Sequence, residues 1–336
     1  VIRPFGLTDV WLVRRLQRSG VPVAIEHVLT HPHEPLWTAL TAPWPWAGVG
    51  IATFVLDDRI QGQHMTGFVQ LMKRSARPEA DLLYLAPALA SEAADDFATR
   101  TVWNLLLSYC SEDAASHGLQ RIYASIPDGG LGQACLKDAG FSLYTRETIY
   151  RLAMSADCSP QAGFRPQGPQ DGWALQRLYL RNTPRLVQQA EGAMGGEPGS
   201  PLLSWWEPDD WQGIVWEPAG EVRGAGQVHI GRAGHWLRVW GTNELGARDS
   251  RSLVEQSLRT IYNAERRGRR RALPVYATVR DYEVGLDRIL TGFGFASYMD
   301  RARFVKHTVM PVREQQTVTR PALDVRGEVP ARSQSR

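Results

Sequence analysis

The sequence predicts an α/β protein built from two tandem copies of one domain. Each copy is a mostly antiparallel, mixed sheet carrying a βαβ unit and flanking helices. Three observations predict this. Arg3-Pro4-x-Gly6-x-x-Asp9-x-Trp11-x-x-x-Arg15-Leu16 returns as Arg165-Pro166-x-Gly168-x-x-Asp171-x-Trp173-x-x-x-Arg177-Leu178. Ile122-Tyr123-Ala124-Ser125-Ile126-Pro127-Asp128 returns as Val275-Tyr276-Ala277-Thr278-Val279-Arg280-Asp281, and Gly140-Phe141-x-x-Tyr144 as Gly294-Phe295-x-x-Tyr298. The matches keep one order at similar spacing, the signature of a repeated unit. The expected boundaries are 1–154 for the first copy, 155–163 for a linker, 164–308 for the second copy and 309–336 for a disordered tail. A length of 336 residues leaves each copy enough chain for its own core.

In the first copy a short strand at Val1–Pro4 precedes a helix capped by Thr8 or Asp9, with Val10, Val13 and Leu16 at helical spacing. Gly20 and Pro22 end it, and the proline- and aromatic-rich Pro32–Trp46 reads as a loop. Gly48–Leu56 and Met65–Met72 read as strands joined through the polar Asp57–Gln63, and Asp81–Leu85 as a third. A helix follows over Ala98–Ser116, with Val102, Leu105, Leu106, Tyr109 and Cys110 inward and Gly118 as its stop. Arg121–Ile126, Leu131–Ala139 and Phe141–Leu152 complete a strand–helix–strand ending.

The second copy repeats the plan. Its helix spans Trp173–Leu180, and the glycine-rich Gly192–Pro201 reads as flexible. Strands follow near Gln212–Glu217, Gly224–Ile230 and Trp236–Trp240. A long helix spans Arg251–Arg267 with Val254, Leu258, Ile261 and Tyr262 inward, before Pro274–Val279, Val284–Thr291 and Phe295–Lys306. The tail is polar, aperiodic and carries Pro321 and Pro330.

Composition narrows the function classes. A net charge of +3 does not by itself indicate nucleic-acid binding. Three widely spaced cysteines argue against a disulfide framework, and no metal-type Cys/His spacing occurs, so no metal is expected. No apolar run is long enough for a membrane span, and Val1–Pro4 has no signal-peptide shape; the expected setting is cytoplasmic. The tryptophan clusters at Trp37, Trp44 and Trp46 and at Trp205, Trp206, Trp211 and Trp216 read as core and interdomain packing.

With these elements in order, the chain resembles the GNAT superfamily of acyl-CoA-dependent N-acyltransferases, as two tandem degenerate copies. Leu83-x-Leu85-x-Pro87-x-Leu89 is similar to the family's fourth strand, and Ala98–Ser116 with Gly118-Leu119-x-x-Ile122 to its third helix and fifth strand. Cys135-Leu136-x-x-x-Gly140-Phe141 is similar to the helix and Gly-Phe turn that open its sixth strand. Leu237-x-Val239, the helix to Arg267 and Leu290-x-x-x-Gly294-Phe295 match in the second copy. The resemblance implies acetyl-CoA or another acyl-CoA as cofactor, with a small-molecule or protein amine as acceptor. The pyrophosphate would rest on a glycine-rich loop at the start of the long helix, where backbone N–H groups lack internal partners.

Neither copy has that loop. The first reads Ala90-Ser91-Glu92-Ala93-Ala94-Asp95-Asp96, placing carboxylates where the pyrophosphate would sit, a repulsion of about 1 kcal/mol per pair even in water. The second reads Asn243-Glu244-Leu245-Gly246-Ala247-Arg248-Asp249-Ser250-Arg251-Ser252. There the resemblance assigns cofactor contacts to the backbone of Val239 and Trp240 and to Gly246, Arg248, Ser250 and Arg251. The family's tyrosine acid is replaced by Leu136 and Leu290. Asp281, Asp128 and Glu147 are the candidate general bases. Glu265-Arg266-Arg267-Gly268-Arg269-Arg270-Arg271 complements a helix C-terminus; Arg266–Arg271 is the only candidate nucleic-acid contact. Two readings follow: an N-acyltransferase working by direct amine attack, or a catalytically inactive GNAT-like module that binds a ligand, protein or RNA.

Overall fold

The computed structural model describes residues 1–32, 34–48, 50–60, 62–74, 77–89, 97–155, 157–192, 211–241, 246–268 and 271–308. The expected tail, the acidic loop 90–96 and most of the glycine-rich 192–201 lie outside them.

In chain order the first copy contributes β1 (Ile2–Pro4), α1 (Val10–Leu16), β2 (Val21–Pro22), α2 (Ile25–Thr30), α3 (Pro35–Thr41), β3 (Ile51–Ile60), β4 (Gln63–Lys73), β5 (Glu79–Ala86), α4 (Phe97–Ser116), β6 (Arg121–Pro127), α5 (Leu131–Asp138) and β7 (Ser142–Leu152). The second contributes β8 (Phe164–Pro166), α6 (Gly172–Asn182), α7 (Arg185–Ala190), β9 (Trp211–Trp216), β10 (Gly224–Ile230), β11 (His235–Gly241), α8 (Ala247–Arg267), β12 (Val275–Arg280), α9 (Leu286–Gly292) and β13 (Ala296–His307). The chain has a mixed α/β fold.

The structure corrects several boundaries. Pro32–Trp46 is not a continuous loop, because Pro35 opens α3 at a helix-compatible first position. Asp57–Ile60 belongs to β3, which pairs with β4 down to Ile60↔Gln63. Leu105 is exposed on α4, whose buried face instead includes Trp103, Leu107 and Ala114. Trp37 and Trp44 are exposed rather than packed, whereas Trp46 donates to Asp113 (2.6 Å).

All the strands form one sheet in the order β1-β3-β4-β5-β6-β13-β7-β12-β11-β10-β9-β8, with β2 pairing β5 off this path. At the centre the copies interleave. β13 lies between β6 and β7, and β7 lies between β13 and β12, all antiparallel. Each copy's last strand therefore fills a place beside the other's βαβ unit. The parallel pairs are β5·β6 and β11·β12.

The repeated motifs have a structural basis. Arg3 forms a two-pronged bond to Asp9 (2.5 and 2.6 Å), and Asp9 accepts the Gly6 N–H (2.9 Å). Arg165, Asp171 and Gly168 repeat this at 2.8, 2.7 and 2.7 Å. Both ties fix the first strand to the start of the first helix with a charge-assisted fork. The Gly-Phe motif closes the helix before the last strand. Gly140 and Gly294 adopt φ +83° and +89°, and the N–H groups of Phe141 and Phe295 reach the carbonyls of Leu136 (2.9 Å) and Leu290 (3.2 Å). This is a left-handed helix stop with its accompanying apolar contact.

Candidate active site

β11 and β12 run parallel only over His235↔Val275, Trp236↔Tyr276 and Leu237↔Ala277, and then part. The His235 N–H donates to the Pro274 carbonyl on the β12 side (2.8 Å). Backbone groups alternate sides along a strand, so the N–H and C=O of Val239 turn into the same opening. Past Leu237, the described residues place one donor on that edge: Asn182 of α6, bonded to the Gly241 carbonyl (2.6 Å). The Trp240 side chain packs away from the opening, with Leu175, Leu178, Val215 and Ala225.

β11 ends at Gly241 and α8 begins at Ala247. The expected loop over Gly246–Ser252 is instead mostly helix. Gly246 is the cap, its carbonyl accepting the N–H groups of Asp249 and Ser250 (both 3.1 Å). Ser250 thus stands within the first turns and does not cap. Arg248 and Arg251 line a cleft of about 610 Å³ with Gln161, Phe164, Trp216 and Glu255. Arg251 also lies over the Phe293 ring (4.4 Å).

Asp128, Glu147 and Asp281 meet in a different cleft, about 400 Å³, with Thr148, Asp287 and Asp300 among its lining residues. The cofactor-binding candidates do not line it. Asp281 accepts the Thr145 hydroxyl (2.8 Å). Asp128 accepts from Gln133 (2.8 Å) and Arg146 (3.2 Å); these bonds outweigh burial and hold its carboxyl below the usual range. Glu147 is engaged elsewhere. Arg303 donates to it (3.1 Å) and to Glu26 (2.5 Å). Burial pushes Glu147 up, whereas for Glu26 the Arg303 charge overcomes burial and holds the carboxyl down.

A partly buried polar network that the sequence did not reveal lies on the sheet face opposite α8. Arg238 donates to Thr278 (2.8 Å) across the notch and to Glu283 (2.5 Å). Glu283 also accepts the Arg280 N–H (2.9 Å), and Arg280 donates to Glu191 (2.5 Å), which accepts Tyr179 (2.6 Å). Burial alone would raise Glu191; Arg280 overrides it and holds the carboxyl at about 2. The sequence signal was a lone arginine in each of two otherwise largely apolar strands: Arg238 in β11 and Arg280 in β12.

Leu136 and Leu290, at the expected tyrosine positions, are fully buried at their helix stops. At the end of α8, Glu265 is buried against His235 (3.1 Å) and Ser155 (2.6 Å), while Arg266 and Arg267 are exposed. Among the described residues no group of three His, Cys, Asp or Glu is placed to hold a metal, and no helix is long and apolar enough to cross a membrane.

No family model matches the chain, and no curated protein matches it. Among solved structures it is similar to a GCN5-related N-acetyltransferase from Sphaerobacter thermophilus. The two are 13% identical with a TM-score of 0.53, over 92% of this chain and 95% of that one. A tandem GNAT protein from the clavulanic acid biosynthesis pathway matches at 14% identity and a TM-score of 0.46, over 92% and 98%. The chain has the GNAT fold.

Proposed function

We propose that the chain is an N-acyltransferase that moves an acetyl or other acyl group from acyl-CoA to an amine, with the working site in the second copy. The observation that carries this is the β11/β12 notch, where the strands part after Leu237 and the Val239 N–H and C=O turn toward the β12 side. The domain division at 1–154 and 164–308 belongs to the same reading. Acyl-CoA supplies an activated thioester. Val239 would bind and orient it along β11, and the first N–H groups of α8, with Arg248 and Arg251, would meet its phosphates.

The acceptor amine attacks the thioester carbonyl carbon, forming the C–N bond. The C–S bond breaks, the thiolate leaves, and the amine's extra proton must be taken up. Asp281 directly follows β12, in the cleft it shares with Asp128 and Glu147, and is the base this reading assigns. Leu290, an apolar and buried side chain, cannot protonate the thiolate. Solvent is then the proton source for the thiol.

The inactive-module reading is favoured for the first copy by one observation: its equivalent notch is filled by the chain itself. Thermal unfolding with and without millimolar acetyl-CoA tests the enzyme reading. Ligand that binds only the folded state raises the midpoint, and Arg248→Glu should abolish that rise. Absence of a shift with every acyl-CoA tried would sink it. Asp281→Asn should leave the shift intact and slow turnover by about 10²-fold or more.

A further inference from the structure

β5 and β6 also run parallel over only three residue pairs, Glu79↔Arg121, Ala80↔Ile122 and Asp81↔Tyr123, and then part. Beyond them the edge of β5 is covered. β2 pairs with it at Val21↔Leu85 and Pro22↔Tyr84, and the Val23 N–H donates to the Leu83 carbonyl (2.8 Å). Resting on the acyl-CoA reading of the second copy, we infer that the first copy's notch is a closed site. Residues 21–24 occupy it as a built-in strand, latched by Arg301 of the second copy, so each chain takes one acyl-CoA.

Four features fix this strap. Val23 is fully buried and Ile25 nearly so. Gly20 admits the close approach, since a Cβ there would stand 2.2 Å from the Tyr84 ring. Arg301 reaches from β13 to the carbonyls of Pro22 (3.4 Å), Val23 (3.3 Å) and Ser125, tying the strap to β6 across the opening. The strap continues into α2, where Glu26 meets Arg303, and the Thr30 carbonyl accepts the N–H groups of Arg232 (2.8 Å) and Ala233 (2.9 Å) in the β10–β11 turn. A ligand entering this notch would have to replace the Leu83 bond, expose Val23 and detach α2 from the second copy. Buried backbone groups on β5 already have partners, so such a ligand gains nothing there.

Two measurements on the full chain test this. Calorimetric titration with acetyl-CoA should give one equivalent per chain, lost in Arg248→Glu; two equivalents would overturn the inference. Zero equivalents would instead contradict the acyl-CoA reading, and the strap is then judged without ligand. By hydrogen exchange, the Val23 amide should be among the slow amides of the first copy. It should exchange at least tenfold faster in Arg301→Lys, which keeps the charge but loses the fork, while Val69 in β4 stays unchanged. A Val23 amide that exchanges freely in the unaltered chain, or an unchanged rate in Arg301→Lys, would overturn the latch.

Discussion

The two notches share one frame and differ in what fills them. In both, parallel strands bond over three residue pairs and then separate, with a long helix connecting them. In the first copy the freed edge of β5 is covered by Val21–Val23 and clamped by Arg301; in the second, no strand among the described residues covers the β11 edge at Val239. A repeated fold need not repeat a site. The motifs that recur, the Arg–Asp–Gly tie and the Gly-Phe stop, build strands and helix ends, and they survive equally in the closed and the open copy.

The comparison can be broken at its junction. Arg303 donates to both Glu26 and Glu147, on the strap side. Arg303→Ala leaves two buried carboxylates unpaired and should cost about 3–5 kcal/mol of unfolding free energy in denaturant melts. Arg280→Ala in the open copy removes the cationic partner of one partly buried carboxylate, Glu191, which keeps Tyr179, and should cost less. A larger loss from Arg280 would reverse the ranking of the two sides. The repeated tie should respond alike in both copies. Asp9→Ala and Asp171→Ala each remove a buried acceptor from an Arg fork and a Gly N–H, and each should cost about 1–3 kcal/mol. A clear inequality would show that the shared motif is not doing equivalent work.

The smallest expected effect is a pH dependence in the open copy. Glu191 is held at about 2, below its ordinary 4.5. Its contribution is therefore complete above pH 4.5 and is lost as pH falls from there toward 2. Glu191→Gln keeps the shape of the side chain and an acceptor oxygen. It should destabilise the chain at pH 7 and converge with the unaltered protein near pH 2, as chemical melts at the two pH values would show. A mutant deficit that grows on acidification would contradict the pairing.

Much of the fold was legible because it is local. Val102, Leu106 and Cys110 repeat at helical spacing, and the Gly-Phe stops mark helix ends, so α4, α5, α8 and α9 and the strands around them could be placed. The interleaving of β7 and β13 was not legible, since it depends on which strand pairs with which across the whole chain. Nor was the strap: Val21-Pro22 reads as a helix breaker, and only β5's exposed edge makes it a strand. At the site, Val239 and the start of α8 could be named from the family pattern. The Arg238–Glu283 and Arg280–Glu191 pairs could not, because their partners lie far apart in sequence. The three candidate bases do converge on one cleft, yet Glu147 faces Arg303, an arrangement set by a strand from the other copy.

The central claim is that acyl-CoA enters the second copy and not the first. Hydrogen exchange of the full chain, with and without saturating acetyl-CoA, tests it most directly. Slowed exchange is expected along β11 and the first turns of α8, with 21–25 and β5 unchanged. Protection appearing along β5, or faster exchange at 21–25 on adding ligand, would contradict it.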